Sequence, residues 1–455
     1  MPPRPPLRTH WVDDDNLALL TDLYELTMAR AYLHEAMTER AVFSLFSRRL
    51  PPGRNFLLAC GLDDALHALE ALRFTPEALD HLAGLGYFPP DFLDWLARFR
   101  FTGSVWAVPE GTPVFENEPI VEVEAPIAEA QLAETVLMNQ IHFQTLVASK
   151  AARVVIAARG RPVVDFGLRR IHGADAGLKA ARAFYVAGVE STSNVLAGVA
   201  YGIPVAGTMA HSFVQAFDSE MDAFRAFVRV YPETTLLVDT YDTLEGVRNV
   251  VRLADELGSE FRVRAIRIDS GDLADLAFRA REILDEAGLD RVTIFVSGGL
   301  DEDEIDAILA TGAPIDGFGV GTRMGVSRDA PAMNVAYKLT EYAGTGRTKL
   351  SPGKEILPGR KQVFRIEENG RAVRDVIARH DEAVPGRPLL RKVMEGGRRL
   401  PEGHESLEDA RARARDELTR LPDPVRALEP AVPPYPVEIS ERLRRDQREV
   451  AARYH

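Results

Sequence analysis

A chain of 455 residues is longer than one hydrophobic core usually organises, and its 46% hydrophobic and 27% charged residues describe a folded protein of two or three domains, neither disordered nor fibrous. The formal net charge of −13 is spread along the chain, which argues against a nucleic-acid partner, because phosphate backbones demand a concentrated positive surface. A single cysteine, Cys60, excludes a disulfide framework and a thiolate metal site and fits a reducing compartment.

The opening MPPRPPLRTHWVDDDN lacks an apolar stretch of signal-peptide length, and the longest apolar run, 195–210, is broken by Gly198, Gly202, Pro204 and Gly207. A soluble, cytoplasmic protein with no membrane partner is expected. Behind the start signal Asp13-Asp14-Asp15-Asn16, Leu17, Leu20, Leu23, Leu26 and Thr27 recur near helical spacing and predict a helix over 12–36. Strand-like runs follow at 41–46, 55–59 and 105–123, punctuated by Pro109, Gly111, Pro113 and Asn117-Glu118-Pro119, so residues 1–130 read as an α+β domain.

From 131 the texture changes. A long helical pattern over 130–158 leads into alternating short apolar strands (163–166, 186–189, 204–208, 236–239, 263–268, 292–296, 317–320) and amphipathic helices (193–201, 211–230, 244–257, 273–287, 302–311). Strands alternating with helices of this length imply parallel βαβ units, and six or seven of them suggest a closed or nearly closed barrel over 131–345. Beyond 345 the chain becomes polar and turn-rich, and two charged helices at 406–420 and 438–452, joined by the Pro-rich 422–436, read as solvated faces.

Functional groups of a parallel barrel gather at the carboxyl ends of its strands. At those positions stand Arg169-Arg170 after Asp165-Phe166-Gly167, His211 after Gly207-Thr208, Asp239, and Asp269-Ser270-Gly271-Asp272. Strand alternation puts Ile266 and Ile268 on one face and Ala265, Arg267 and Asp269 on the other, so if the isoleucines pack on helices the charged pair faces the lumen. A buried cation and anion there are costly unless they bind something, although a structural ion pair is the alternative. Ser297-Gly298-Gly299-Leu300-Asp301 and Gly319-Val320-Gly321-Thr322 follow the last two strands, the usual phosphate position of a barrel, where glycine backbone lets N–H groups approach an anion. His211 opens a predicted helix and is open to two readings, a capping or core histidine and a group near phosphate.

Five blocks in order make the chain resemble the nicotinate phosphoribosyltransferase family over nearly its whole length: Leu20-Thr21-Asp22-Leu23-Tyr24-Glu25-Leu26-Thr27-Met28, Asp165-Phe166-Gly167-Leu168-Arg169-Arg170, Ser193-Asn194-Val195-Leu196-Ala197-Gly198, Gly207-Thr208-Met209-Ala210-His211-Ser212-Phe213 and Arg267-Ile268-Asp269-Ser270-Gly271-Asp272. The resemblance implies an α/β fold of the type II phosphoribosyltransferase kind: an incomplete (β/α) barrel beside an α+β N-terminal domain, with the C-terminal region 346–455 packing back on that domain. It also implies a homodimer with shared active sites.

The same resemblance implies the substrates and roles. Nicotinate and phosphoribosyl pyrophosphate would give nicotinate mononucleotide and pyrophosphate in NAD salvage. Tyr24 of the partner subunit and Phe166 would sandwich the pyridine ring, Arg267 would hold the nicotinate carboxylate, and Thr208 would contact the nicotinate. Arg169 and the partner subunit's Arg48 would reach the diphosphate, Asp239 and Asp269 would sit near the ribose and Mg²⁺, and Gly298, Gly299, Gly321 and Thr322 would cradle the 5′-phosphate. ATP would serve as co-substrate by phosphorylating His211. Two rivals remain at this point, a nicotinamide-using relative and a barrel that binds without turnover. The first carries an aspartate where this chain has Thr192, and a carboxylate there would repel nicotinate's own, so Thr192 favours the acid.

Overall fold

The computed structural model describes residues 11–351 and 356–454; the first ten residues, which open the stretch read above for a signal peptide, lie outside them. The described residues form two compact units. One draws on Met1–Thr145, Ala332–Val425 and Pro430–His455, the other on Leu146–Pro331 and Arg426–Glu429. The sequence divides the chain at 130/131 and 345/346 instead. The difference has a concrete cause: Val335–Tyr342, grouped by the sequence with the barrel, pairs antiparallel with Arg40–Ser47 and so joins the first unit.

In the first unit a seven-stranded sheet runs in the order Thr345–Gly346, Val335–Tyr342, Arg40–Ser47, Pro119–Pro126, Ser104–Ala107, Arg391–Glu395, Arg398–Arg399. Early and late strands thus share one sheet, and the C-terminal region completes the N-terminal domain. Helices Leu23–His34, Pro76–Gly84 and Pro90–Arg98 contribute Leu26, Ala29, Leu82, Phe92 and Leu96 to a buried cluster with Phe74, Phe88 and Phe99. The expected helix over 12–36 is a short 3₁₀ turn, Leu17–Leu19, followed by Leu23–His34, and three helices between 62 and 98 carry no strand pattern at all.

The first of the charged C-terminal helices is less solvated than its sequence suggests, while the second, Glu441–Ala451, buries only Leu443 and Val450. Leu407–Arg420 buries Ala410, Ala414, Glu417 and Leu418. Glu417 accepts from Arg365 Nη1 at 3.1 Å, and Arg365 also pairs with Asp375 at 2.7 Å and donates to Pro113 O at 2.8 Å. A buried guanidinium needs this full set of acceptors, and it welds the helix to the strands Lys361–Glu368 and Arg371–Arg379.

The second unit is an open, all-parallel sheet in the order Ser191–Thr192, Val163–Asp165, Gly317–Val320, Thr293–Ser297, Ala265–Ile268, Thr235–Leu237. This is the incomplete barrel. The predicted strand at 204–208 reduces to one bridge, Val205 to Thr192, and the predicted strand at 186–189 is the end of helix Ala174–Ala187, closed by Gly188 at φ +110°. Short apolar runs do not distinguish a strand from a buried helical turn. The predicted helix 211–230 is two, His211–Gln215 and Glu220–Val230, the second capped by Ser219 Oγ on Asp222 N.

Acidic residues after the strands have a local duty. Asp242, Asp272 and Asp301 accept from the backbone N–H three residues on and cap helices Thr243–Leu257, Leu273–Glu286 and Glu302–Ala310. Asp272 and Asp301 are therefore spent on the scaffold, which leaves Asp239 and Asp269 as the strand-end carboxylates to weigh for chemistry.

Candidate active site

At the carboxyl edge of the parallel sheet lies a pocket of about 520 Å³. Its floor is Arg267, 9% exposed on strand Ala265–Ile268, with Ile266 and Ile268 fully buried on the opposite face. Arg267 Nη2 donates to Met209 O at 2.8 Å, and Nη1 donates to Asp269 Oδ1 and to Ser297 Oγ, both at 3.2 Å. Its Nε is buried and has no hydrogen-bond partner. Burial lowers the guanidinium pKa, while Asp269 and then Asp239 oppose that shift. The Phe166 ring centroid stands 5.8 Å from the guanidinium carbon. A cation with an uncommitted N–H beside an aromatic face suits a flat ring bearing an anionic group.

Around this floor, the short helices and turns that follow the strands supply the walls. Arg169, on the 3₁₀ turn Leu168–Arg170, lines the pocket, as do Thr208 and His211. His211 Nδ1 lies 3.2 Å from Thr240 Oγ1 and Nε2 lies 3.7 Å from Asp269 Oδ2. The helix it opens has only five residues, so few aligned peptide dipoles stand behind it, and the helix-dipole contribution is smaller than the single helix predicted over 211–230 would give.

Gly298, Gly299, Gly321 and Thr322 also line the pocket, together with Gly319. Their glycines serve different ends. Gly298 has φ +96°, and a Cβ there would meet Asp269 O at 1.9 Å, so glycine at this position lets two strand-end loops touch. Gly299, at φ +67°, has open space where its Cβ would be and is the position at which an anion can approach backbone.

Four expected residues lie elsewhere. Asp239 does not line the pocket; its Oδ2 accepts from Asp269 N at 3.0 Å and Ser270 Oγ at 2.6 Å, and its Oδ1 is buried without a partner. It holds the Asp269-Ser270 loop from behind. Thr192 is likewise a correction: it is 1% exposed, its hydroxyl donates to Asp165 Oδ2 at 2.7 Å and accepts from Asn194 N at 3.1 Å, and the residue that reaches the pocket is Ser193. Strand geometry puts consecutive residues on opposite faces, so a one-residue slip exchanges lumen for core. Ser193 is uncharged too, and the absence of a repelling carboxylate at this position is retained. Tyr24 and Arg48 belong to the other unit. Tyr24 is 44% exposed on helix Leu23–His34, and Arg48 lies beside Phe46, its guanidinium carbon 5.8 Å from the ring centroid.

Two further residues that line the pocket, Arg170 and Ser297, are given no individual role by the sequence. Arg170 is visible as the second half of a basic pair at a strand end, and Ser297 as the first residue of a turn whose glycines draw the attention.

Comparison with known proteins gives concordant results. A model of the nicotinate phosphoribosyltransferase N-terminal domain matches residues 19–142, one of the nicotinate phosphoribosyltransferase family matches 162–363, and one of the C-terminal domain matches 383–447. The chain is 58% identical over 426 residues to a nicotinate phosphoribosyltransferase of Mycobacterium tuberculosis, covering 94% of this chain and 92% of that protein. It is 43% identical over 389 residues to that of Bacillus subtilis, covering 83% and 79% respectively. The crystal structure of human nicotinic acid phosphoribosyltransferase superposes with a TM-score of 0.84 at 30% identity, covering 94% of this chain and 99% of that one.

Proposed function

The chain belongs to the nicotinate phosphoribosyltransferase family, and from that premise and the pocket's geometry we infer that it joins nicotinate to phosphoribosyl pyrophosphate, giving nicotinate mononucleotide and pyrophosphate for NAD synthesis. Arg267 carries the reading: a buried guanidinium with an unpartnered Nε beside the Phe166 ring is suited to a pyridine carboxylate. Thr208, on the pocket wall, contacts the nicotinate beside it.

The chemistry then needs little from the protein beyond placement and charge. The pyridine nitrogen forms a bond to the anomeric carbon as the bond to the pyrophosphate oxygen breaks, and the electron pair leaves with pyrophosphate. No general base is required, because the attacking nitrogen carries no proton. Asp269 faces the positive charge that develops on the ribose, Arg169 takes the diphosphate, and the backbone at Gly299, Gly321 and Thr322 takes the 5′-phosphate.

Mg²⁺ fits this reading as an ion shared with the substrate. Among the described residues no group of three or more His, Cys, Asp or Glu side chains is arranged to hold a metal. The Asp269 carboxylate, which lines the pocket, matches the one or two protein carboxylates that Mg²⁺ takes alongside phosphates and water, and Asp239 behind it would hold the loop that carries that carboxylate. When bound, the ion neutralises charge on the departing pyrophosphate.

ATP enters as co-substrate through His211, whose imidazole is half-exposed in the pocket and open to a phosphoryl group. The working form is a homodimer in which the partner subunit's Tyr24 stacks on the pyridine ring and the partner subunit's Arg48 reaches the diphosphate. Val195, Leu196 and Val199 on helix Val195–Tyr201, with Val205 nearby in sequence, are 68%, 61%, 80% and 52% exposed, an apolar surface suited to a second copy. A cytoplasmic location accompanies these substrates; among the described residues no helix is long and apolar enough to cross a membrane. Incubation with nicotinate, phosphoribosyl pyrophosphate and Mg²⁺, followed by chromatography, tests the activity: nicotinate mononucleotide is expected, and its absence with and without ATP would overturn it.

A further inference from the structure

Beside Arg267 on the pocket floor, Ser297 makes a three-way junction. It is 2% exposed at the end of strand Thr293–Ser297, its Oγ donates its one proton to Asp269 Oδ1, and it accepts from Arg267 Nη1 at 3.2 Å. Arg267 Nη1 is also 3.2 Å from the same Asp269 Oδ1, a long contact for a charge-assisted pair, which normally closes to about 2.7–2.9 Å. An arginine and an aspartate two residues apart at one strand end, with the guanidinium buried and the carboxylate about a third exposed, would ordinarily close into a tighter fork-to-fork pair. The Ser297 hydroxyl takes the second acceptor position on Asp269 Oδ1, beside the long contact from Nη1, and holds Nη1 at the same time.

We propose that Ser297 is a positioning residue for substrate specificity, keeping Arg267 from being consumed by Asp269 so that its guanidinium stays available to the substrate carboxylate. The proposal rests on Arg267 as the carboxylate's partner. Two consequences separate it from a packing role. Removing the hydroxyl frees Asp269 Oδ1 to take a second guanidinium N–H, which weakens nicotinate binding specifically. The hydroxyl also serves Asp269, so some loss in turnover accompanies its removal, but the 5′-phosphate turn at Gly299, Gly321 and Thr322 is held by backbone, so the effect on nicotinate exceeds that on phosphoribosyl pyrophosphate.

The test is steady-state kinetics of Ser297→Ala, Ser297→Thr and Arg267→Ala, each checked for wild-type-like secondary structure by circular dichroism. Ser297→Ala is expected to raise KM for nicotinate roughly tenfold or more, with KM for phosphoribosyl pyrophosphate changed less than about threefold and kcat lowered by a smaller factor than the nicotinate KM is raised, and Ser297→Thr, which keeps the hydroxyl, is expected to restore most of the loss. Should the added methyl group prevent Ser297→Thr from folding, Ser297→Cys, a weaker donor, is expected to fall between serine and alanine. A raised nicotinate KM in Arg267→Ala with an unchanged one in Ser297→Ala would overturn this proposal alone. An unchanged nicotinate KM in Arg267→Ala would overturn the assignment of the carboxylate site and this proposal with it. A fall in kcat with both KM values unchanged in Ser297→Ala marks a packing role and also contradicts it.

Discussion

His211 stands half-exposed in the pocket, with Thr240 Oγ1 at 3.2 Å from one ring nitrogen and Asp269 Oδ2 at 3.7 Å from the other, and neither contact is part of the buried core. Replacing it with alanine therefore removes chemistry and little structure. His211→Ala is expected to fold with a loss of about 1 kcal/mol or less, the worth of an ordinary hydrogen bond, and to keep some ATP-independent transfer. The wild type incubated with γ-labelled ATP should carry an acid-labile, base-stable label that the variant lacks; label surviving in His211→Ala would place the phosphate on another residue. Thr192 presents the opposite case. Its hydroxyl serves Asp165, a carboxylate 1% exposed whose pKa is raised by burial and held back by the hydrogen bonds from Thr192 and Gly167 N. Thr192→Val keeps the shape but leaves Asp165 Oδ2 and Asn194 N unserved, which costs about 1–3 kcal/mol in chemical unfolding. Stability equal to wild type would mean that the strand end relaxes without that hydroxyl.

At the scale of elements, the buried carboxyl group of Glu25 ties helix Leu23–His34 to the start of helix Glu134–Ala157, beside a second bond from Thr135 Oγ1 to Asp22 Oδ2 at 3.3 Å. Glu25 is fully buried, and its side chain accepts from Thr21 Oγ1 at 2.9 Å, from Thr135 N at 3.0 Å and from Thr135 Oγ1. Burial raises its pKa to about 7 from an ordinary 4.5, against those hydrogen bonds. Because the folded protein holds this proton more tightly than the unfolded chain, the stabilisation is complete below about pH 4.5 and is lost as pH rises through about 7. Glutamine mimics the neutral form at every pH. The stability of wild type minus that of Glu25→Gln is expected to fall between pH 4.5 and 7, read from melting curves at each pH, and a flat difference would contradict the buried carboxyl. Legibility in the sequence also varies by element. Ala265–Ile268 and Gly317–Val320 are readable because β-alternation and glycine spacing are local signals. The stretch 186–189 misleads, since Val186 and Val189 suit a helix end as well as a strand, and the strand-rich stretch 361–399 is hidden by charged residues, Arg365 and Asp375 among them, that are buried against each other. Pairing across more than a hundred residues, as between Arg40–Ser47 and Val335–Tyr342, leaves no local trace at all.

For the whole molecule, the proposed active unit is a pair of chains. Tyr24→Ala and Arg267→Ala damage different subunits' contributions to one site, so mixing the two inactive proteins under exchange conditions should restore part of the activity through hybrids with one intact site. A monomer fully active at assay concentration would contradict the shared site. The pocket itself is largely legible in the sequence, since Phe166, Arg169, Thr208, His211, Arg267 and Asp269 all fall at strand ends and all line it. What the strand-end rule leaves open is depth: it puts Asp239 in the pocket, as the resemblance does Thr192, when each supports it from behind, and it overlooks Ser193 and Ser297, small residues that the pocket brings together with neighbours far along the chain. The central claim is that Arg267 selects an acid. The most direct measurement compares kcat/KM for nicotinate and nicotinamide in the wild type and in Arg267→Ala. The account predicts strong preference for nicotinate in the wild type and a loss of about 2–5 kcal/mol in nicotinate use on removing the buried partner, with nicotinamide use changed far less. Equal use of the two substrates by the wild type, or an unchanged preference in Arg267→Ala, would contradict it.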